Sequence, residues 1–175
     1  MVFPQDVETL HRNSQHVRWR AQRCNANGLA VARMLYSHPL IERLNYPLFD
    51  ESLPTYQSLM RRRGEAGYGS LMSVVFREAS VAQRFYDALT LPKGSSFGTN
   101  FTIAVPFTLL VHYYNRHRVA AHGLPEHNIR ISVGLEDVED TKAVIQAALE
   151  ECGGADGRSG TGAGATGLRP RETKL

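Results

Sequence analysis

An arginine lies inside an otherwise apolar strand pattern late in the chain, in the stretch IRISVGLED at residues 129–137. Alternation along a strand places Ile129 and Ile131 on one face and Arg130 and Ser132 on the other. A desolvated guanidinium is costly unless it meets an anion, and its planar fork binds a carboxylate through two parallel hydrogen bonds. The strand is therefore expected to hold Arg130 against a carboxylate, either that of a ligand or the partner in a structural ion pair.

Length and composition restrict the class of protein. A chain of 175 residues with 42% hydrophobic content is long enough for one domain with its own core. No apolar run could span a bilayer, and the N-terminal MVFPQDVETL lacks the layout of a signal peptide, so a cytoplasmic protein without membrane contact is expected. A net charge of +3 is too small an excess to indicate a nucleic-acid partner. Cys24 and Cys152 are too far apart in sequence to suggest a disulfide framework or a metal site.

Hydrophobic periodicity predicts a mixed α+β domain with a small sheet and helices on one of its faces. Helices are expected near residues 17–35, 55–62, 81–89, 115–121 and 137–152, and strands near 41–46, 70–76, 100–105 and 128–133. The first helix carries an apolar stripe, and it is too long for so small a sheet, which makes it a connector; the stripe consists of Val17, Ala21, Cys24, Gly28, Val31 and Leu35.

The last predicted helix has its own buried stripe, formed by Val138, Ile145, Leu149 and Cys152. Asp137 is the expected N-cap. The acids around it, Glu136, Glu139 and Asp140, are interpreted as caps and as partners of the helix dipole.

Two glycine motifs match known patterns by letter but not by context. Residues 94–98 read GSSFG, the G-x-S-x-G pattern of a nucleophile elbow, but the β-branched run that follows disfavours the helix that an elbow needs. A glycine-flanked turn is expected there. Residues 162–167 read GAGATG within a glycine-rich tail at 153–175, where no strand precedes and no helix follows, so the tail is predicted to be disordered rather than a dinucleotide site.

Clusters of titratable residues do not form a site by their spacing. His112, His117, His122 and His127 recur every five residues, which turns a helix by about 140° per step, so they cannot share one face and no metal site is expected. The arginines at 61–63 are interpreted as a solvated face.

Four segments in the same order resemble the C-terminal portion of the cystathionine γ-synthase family, pyridoxal-phosphate (PLP) enzymes of cysteine and methionine metabolism, and most closely its fungal branch. They are LYSHPLIERLNYP (35–47), GYGSLMSVVF (67–76), LPKGSSFGTNFT (91–102) and IRISVGLED (129–137). The resemblance implies the C-terminal small domain of fold-type I transferases over residues 1–152, with a connector helix at 1–37 and a small, mostly antiparallel sheet.

The resemblance also implies roles for two residues. Arg130 is similar in position to the arginine that anchors the substrate α-carboxylate, and Ser96 to the serine of the family's Ser-Leu-Gly. Phe97 replaces that leucine, and Val105 stands where many relatives carry histidine before proline, which affects the expected substrate preference rather than the fold. Arg130 and Ser96 are therefore the substrate-binding candidates, and no catalytic residue is assigned.

What the family needs for chemistry lies in a large domain upstream. Its Schiff-base lysine, ring-stacking aromatic, pyridinium-binding aspartate and phosphate ligands all belong to that domain, and none of Lys93, Lys142 and Lys174 occurs in a motif of the Schiff-base kind. The chain is expected to be inactive alone, as part of an enzyme that uses PLP, binds an amino-acid substrate and catalyses γ-replacement on an activated homoserine by cysteine. Synthases and lyases share these motifs, so the direction of the reaction is open.

The alternative is a non-catalytic relic that acts as an interaction module. It would associate with a full-length relative, or form a homo-oligomer, through a face made unusually apolar by the lack of the large domain.

Overall fold

Helices and strands alternate along the part of the chain that the computed structural model describes, residues 3–60 and 66–154. The helices are α1 (Pro4–Ser14), α2 (Val17–Tyr36), α3 (Leu53–Leu59), α4 (Ala79–Ala88), α5 (Phe107–Val111), α6 (Arg116–Ala120) and α7 (Val138–Gly154), with a 3-10 turn at Tyr113–Asn115. The strands are β1 (Ile41–Asn45), β2 (Leu71–Phe76), β3 (Ile103–Pro106) and β4 (Asn128–Ser132). The α+β class is therefore confirmed. The arginines at 61–63, most of the glycine-rich tail with its GAGATG motif, and Lys174 lie outside the described residues.

The four strands form one sheet in the order β1-β2-β4-β3, and every pairing is antiparallel. Each strand coincides with a predicted one. The third was expected to begin near residue 100 but begins at Ile103, because the Thr102 amide donates to the Glu136 carboxylate instead of to a neighbouring strand.

Helices α2, α4 and α7 cover one face of the sheet, as the sequence predicted. Period-two alternation sends the apolar side chains of β2 and β4 to this face, where helical stripes meet them. The fully buried side chains of this core include Leu35, Met72, Val74, Phe76, Phe85, Ile129, Ile131, Ile145 and Leu149.

The stripe predicted along α2 is only half correct. Gly28, Val31 and Leu35 are buried, whereas Val17 is 55% exposed and Ala21 is exposed too. A helix of this length extends about 30 Å, which is more than a four-stranded sheet can cover, so its first turns extend past the core. The predicted connector is moreover two helices, because Gln15 and His16 interrupt it between α1 and α2.

The acidic residues Glu136 and Asp137 at the start of α7 have different roles. Asp137 is the N-cap as expected, since its Oδ1 accepts from the Glu139 amide at 2.8 Å. Glu136 does not cap the helix: its carboxylate accepts from the amide and from the hydroxyl (3.0 Å) of Thr102. The Thr102 hydroxyl in turn accepts from the Gly134 amide at 3.0 Å. This network, the Glu136–Thr102 clamp, ties the segment before β3 to the segment after β4.

The entry to β2 is fixed by close packing against α2. Gly69 has a φ of +84°, its amide donates to Asn25 Oδ1 at 3.0 Å, and its carbonyl accepts from the Tyr46 hydroxyl at 2.9 Å. Burial raises the pKa of Tyr46 to about 12, which keeps that hydroxyl protonated as a donor. A Cβ added at Gly28 would lie 2.7 Å from the Gly69 carbonyl oxygen and from the Ser70 Cα, so the helix can approach only through a glycine.

The same glycine-to-alanine substitution should have opposite effects in two helices. Gly28→Ala forces backbone apart and should lower the free energy of unfolding by about 1–3 kcal/mol. Gly153→Ala, in α7, meets no atom closer than 3.9 Å and should be neutral or stabilising by up to about 1 kcal/mol, as helix propensity dictates. Urea denaturation of both variants measures this; equal effects would show that α2 does not pack against the Gly69 turn.

Two fully buried threonines test the Glu136–Thr102 clamp. Thr102→Val leaves the Gly134 amide and a carboxylate oxygen without their partner, and should destabilise the fold by about 1–3 kcal/mol. Thr108→Val is the matched control: among the described residues the Thr108 hydroxyl has no partner, so this isosteric change should be neutral or stabilising. The clamp is refuted if thermal unfolding ranks Thr108→Val as the more damaging.

Candidate functional site

Arg130 occupies the middle of the sheet on the face opposite the helices. In β4 it pairs with Ser73 of β2 on one side and with Val105 of β3 on the other. Its side chain is partly exposed, and Arg130 Nη2 donates to the Ser95 carbonyl oxygen. The guanidinium carbon lies 4.8 Å from the centroid of the Phe107 ring and 5.3 Å from that of Phe97. One carbonyl and two rings therefore fix the position of the guanidinium.

The structural ion pair that the sequence left open is not formed within the described residues, where no carboxylate lies within 4.0 Å of the guanidinium. A guanidinium has five N–H donors in a fixed fork. Arg130 donates to the Ser95 carbonyl through Nη2, so its other N–H groups are available to an anion from outside this part of the chain.

The loop at residues 94–98 is held at both ends, by β3 at Gly94 and by β4 at Gly98. The Gly94 amide donates to the Ala104 carbonyl at 3.0 Å, and the Gly98 amide donates to Ser132 Oγ at 3.0 Å. Gly98 has a φ of +72°, which an L side chain rarely adopts. No helix follows Ser96 in the described chain until α5, so the G-x-S-x-G letters mark a glycine-flanked turn, as the sequence predicted.

The structure brings the two predicted site residues into one region. Arg130 and the loop that carries Ser96 are in contact, but the contacts are made by the neighbours Ser95 and Phe97, and the Ser96 side chain is exposed. The alternation of β4 is confirmed, since Arg130 and Ser132 both point to the loop while Ile129 and Ile131 are in the core.

A cavity of about 320 Å³ opens beside Arg130 on the same face of the sheet. Its lining consists of Asn45, Leu71, Met72, Ser73, Phe107, Leu124, Asn128 and Arg130. Asn45, Ser73 and Arg130 stand in one row across three strands, and Asn45 Nδ2 donates to Ser73 Oγ at 2.9 Å.

Sequence reasoning missed three polar residues of this cavity: Asn45, Ser73 and Asn128. Alternation alone could have placed Asn128 beside Arg130, two residues along the same strand. The other two are assembled by strand pairing, which one sequence does not reveal.

The described lysines do not fit a covalent attachment of PLP at this site. Lys93 donates to the Asp87 carbonyl at 3.2 Å and lies over the Tyr86 ring, and Lys142 pairs with Glu139 at 3.0 Å. Neither lines the cavity beside Arg130.

The other sequence clusters lie elsewhere. His127 lines a second cavity of about 510 Å³ between α4, α5 and β4, together with Gln83, Tyr86 and Glu126. In residues 3–60 and 66–154, no three side chains of the kinds that bind metals come together. No helix within these residues has the length and apolar character needed to cross a bilayer.

A family model and the most similar curated relatives agree on one family for this chain. The model of the family described as Cys/Met metabolism PLP-dependent enzyme matches residues 1–150. The cystathionine gamma-synthase-like protein ankD of Aspergillus thermomutatus is 42% identical over 151 residues, which are 86% of this chain and 26% of that protein. The cystathionine gamma-synthase of Neurospora crassa is 40% identical over 148 residues, 85% of this chain and 24% of its own length.

A solved structure supports the fold independently. It is a putative O-acetylhomoserine (thiol)-lyase from Campylobacter jejuni that carries a pyridoxyl-lysine phosphate. The two structures superpose with a TM-score of 0.70 over 77% of this chain and 32% of that one, and their sequences are 22% identical. The chain thus spans about a quarter of the length of the curated relatives it matches. On the extent of the family match and the identity to these relatives, the chain belongs to the Cys/Met metabolism PLP-dependent enzyme family.

Proposed function

We propose that this chain is the C-terminal part of a cytoplasmic, PLP-dependent cystathionine γ-synthase-like enzyme, in which Arg130 binds the α-carboxylate of the amino-acid substrate. The observation that carries the proposal is the fixed guanidinium of Arg130, held by the Ser95 carbonyl and by two aromatic rings beside an open cavity. The reaction of such an enzyme would be γ-replacement on an activated homoserine by cysteine.

The surroundings of Arg130 suit it to carboxylate binding. A guanidinium whose orientation is set in advance loses little freedom when it forms two parallel hydrogen bonds to a carboxylate. The faces of Phe97 and Phe107 favour the cation without consuming its donors, since they attract it through their ring quadrupoles. Ser96 lies in the loop that supplies the fixing carbonyl, so its exposed side chain would border the same substrate.

The rest of the active site would come from other parts of the enzyme. PLP acts as an electron sink when it is bound to a lysine, and the two described lysines are engaged elsewhere on the surface. This chain would hold and orient the substrate without supplying the cofactor's attachment. On its own it would therefore be inactive.

A chimaera tests the proposal directly. Residues 1–150 of this chain replace the matching segment of the Neurospora crassa relative, and formation of cystathionine is measured. Arg130→Ala should reduce kcat/KM by about a hundredfold or more, mainly through KM for the activated homoserine, because it removes a charged hydrogen-bond pair. Arg130→Lys should recover part of the loss, since lysine keeps the charge and loses the fork.

Arg77→Ala is the matched control for the chimaera. Arg77 also donates to a backbone carbonyl, that of Pro39 at 2.8 Å, and does not line the cavity. It should leave KM unchanged. An Arg130→Ala chimaera with the KM of the parent would contradict the proposed role.

A second candidate, an interaction module for a full-length relative, is supported by the apolar surface of the first two helices. Helix α1 buries no residue, and apolar side chains are exposed along it and into α2; they are Phe3, Val7, Leu10, Val17 and Trp19. The first three recur at helical spacing, so they form one stripe that the described chain does not cover. Inactive chimaeras, combined with co-purification of this chain and the intact relative, would favour this candidate.

A further inference from the structure

Asn27 is a buried polar residue of α2 whose hydrogen bonds connect the helix to a distant turn. The residue is 2% exposed, and its Nδ2 donates to the Gly134 carbonyl at 3.0 Å and to the Glu136 carbonyl at 2.9 Å. Both carbonyls belong to the turn at residues 134–136, between β4 and α7. One side chain of α2 therefore holds the turn that follows the strand of Arg130.

The turn at residues 134–136 is in close contact with the segment that enters β3. The Glu136–Thr102 clamp joins the two through side-chain hydrogen bonds. Their backbones touch as well, since a Cβ added at Gly134 would lie 2.5 Å from the carbonyl carbon of Phe101. A displacement of the turn must therefore move this segment too.

The segment before Thr102 continues directly into the loop that fixes Arg130. Its Gly98 amide donates to Ser132 Oγ at 3.0 Å, and its Ser95 carbonyl accepts from the guanidinium. A loop that is fastened close to these groups has fewer conformations available to it than a free one. Hydrogen bonds and a short stretch of chain thus connect α2 with the guanidinium of Arg130.

We infer that Asn27 is a positioning residue for Arg130, which acts by holding the turn at residues 134–136 and, through the Glu136–Thr102 clamp, the loop that fixes the guanidinium. Arg23, one turn earlier in α2, assists it, because Arg23 Nη2 donates to the Glu136 carbonyl at 3.4 Å. The inference deepens the proposed function and rests on it only for what Arg130 binds.

Asn25 provides a matched control on the same helix. Its Oδ1 accepts from the Gly69 amide at 3.0 Å, so Asn25 also joins α2 to a turn beside the sheet, the one that enters β2. The Glu136–Thr102 clamp does not include this turn. Asn25→Ala therefore removes a long-range hydrogen bond of α2 and leaves the connection to Arg130 in place.

The experiment measures amide hydrogen exchange and ¹⁵N relaxation by NMR in the full 175-residue chain. Asn27→Ala should speed the exchange of the Gly98 and Thr102 amides about tenfold, because local opening of the loop becomes easier. It should also lower the order parameter of Arg130 Nε. Asn25→Ala should change the two exchange rates by less than about twofold. Amides that exchange through local opening do not respond to global stability, so a merely structural role of Asn27 would leave these rates unchanged.

A double mutant tests whether Asn27 acts through the clamp. In a Thr102→Val background, Asn27→Ala should give no further increase in the exchange rate of the Gly98 amide, whereas independent effects would add. Arg23→Ala, at a half-buried position, is the milder variant and should speed Gly98 exchange by about two- to threefold. It supplies the same test if the replacement of Asn27 prevents folding.

The chimaera with the Neurospora crassa relative gives a kinetic readout. Asn27→Ala should raise KM for the activated homoserine about tenfold and change kcat by less than about twofold, because it loosens the group that binds the substrate. Asn25→Ala should leave both constants unchanged.

Four results would overturn the inference: Gly98 exchange and Arg130 order that Asn27→Ala leaves unchanged, equal effects of Asn25→Ala, additive effects of Asn27→Ala and Thr102→Val, or a KM that responds to Arg130→Ala but not to Asn27→Ala. Failure of the proposed function is distinguishable from these. Exchange and order would then respond to Asn27→Ala as expected, while neither Asn27→Ala nor Arg130→Ala would change KM.

Discussion

The carboxylate of Glu136 connects the two segments that create the site. By accepting from the amide and the hydroxyl of Thr102, it fastens the loop before β3 to the turn after β4. The loop then passes over β4, where its Ser95 carbonyl and Phe97 ring meet Arg130. Without this long-range clamp, Arg130 would be a long, flexible side chain on an open sheet, and its affinity for a carboxylate would be reduced by the entropy of ordering it.

The two faces of the sheet differ in the side chains that they carry. Three helices pack on one face and enclose the main apolar core of the described residues. The second face carries the polar row of Asn45, Ser73 and Arg130, with Asn128 beside it. Among the described residues the buried amide of Asn128 has no hydrogen-bond partner, which costs the fold stability.

Local patterns in the sequence predicted much of the fold and the position of Arg130. Period-two alternation placed Arg130 and Ser132 on one face of β4, and helical spacing placed Ile145 and Leu149 in the core. The predictions that failed concern contacts between residues that are far apart in the sequence. Glu136 precedes a helix, where the sequence predicts a cap, but its carboxylate accepts from Thr102, 34 residues away.

Other features were missed for similar reasons. Helix α5 is five residues rich in β-branched and aromatic side chains, FTLLV, and has no period long enough to detect. The Asn128 amide is buried without a hydrogen-bond partner among the described residues, and no local pattern in the sequence indicates this.

In the proposed function this chain binds the substrate carboxylate, and another part of the enzyme carries the lysine to which the cofactor attaches. Reduction with borohydride in the presence of PLP, followed by peptide mass spectrometry, separates these two roles. We expect no stoichiometric, site-specific pyridoxyl adduct on Lys93, Lys142 or Lys174 of the isolated chain. In the chimaera we expect one adduct, on a lysine contributed by the relative. A stoichiometric adduct on one of the three lysines of this chain would show that the proposed division of roles is wrong.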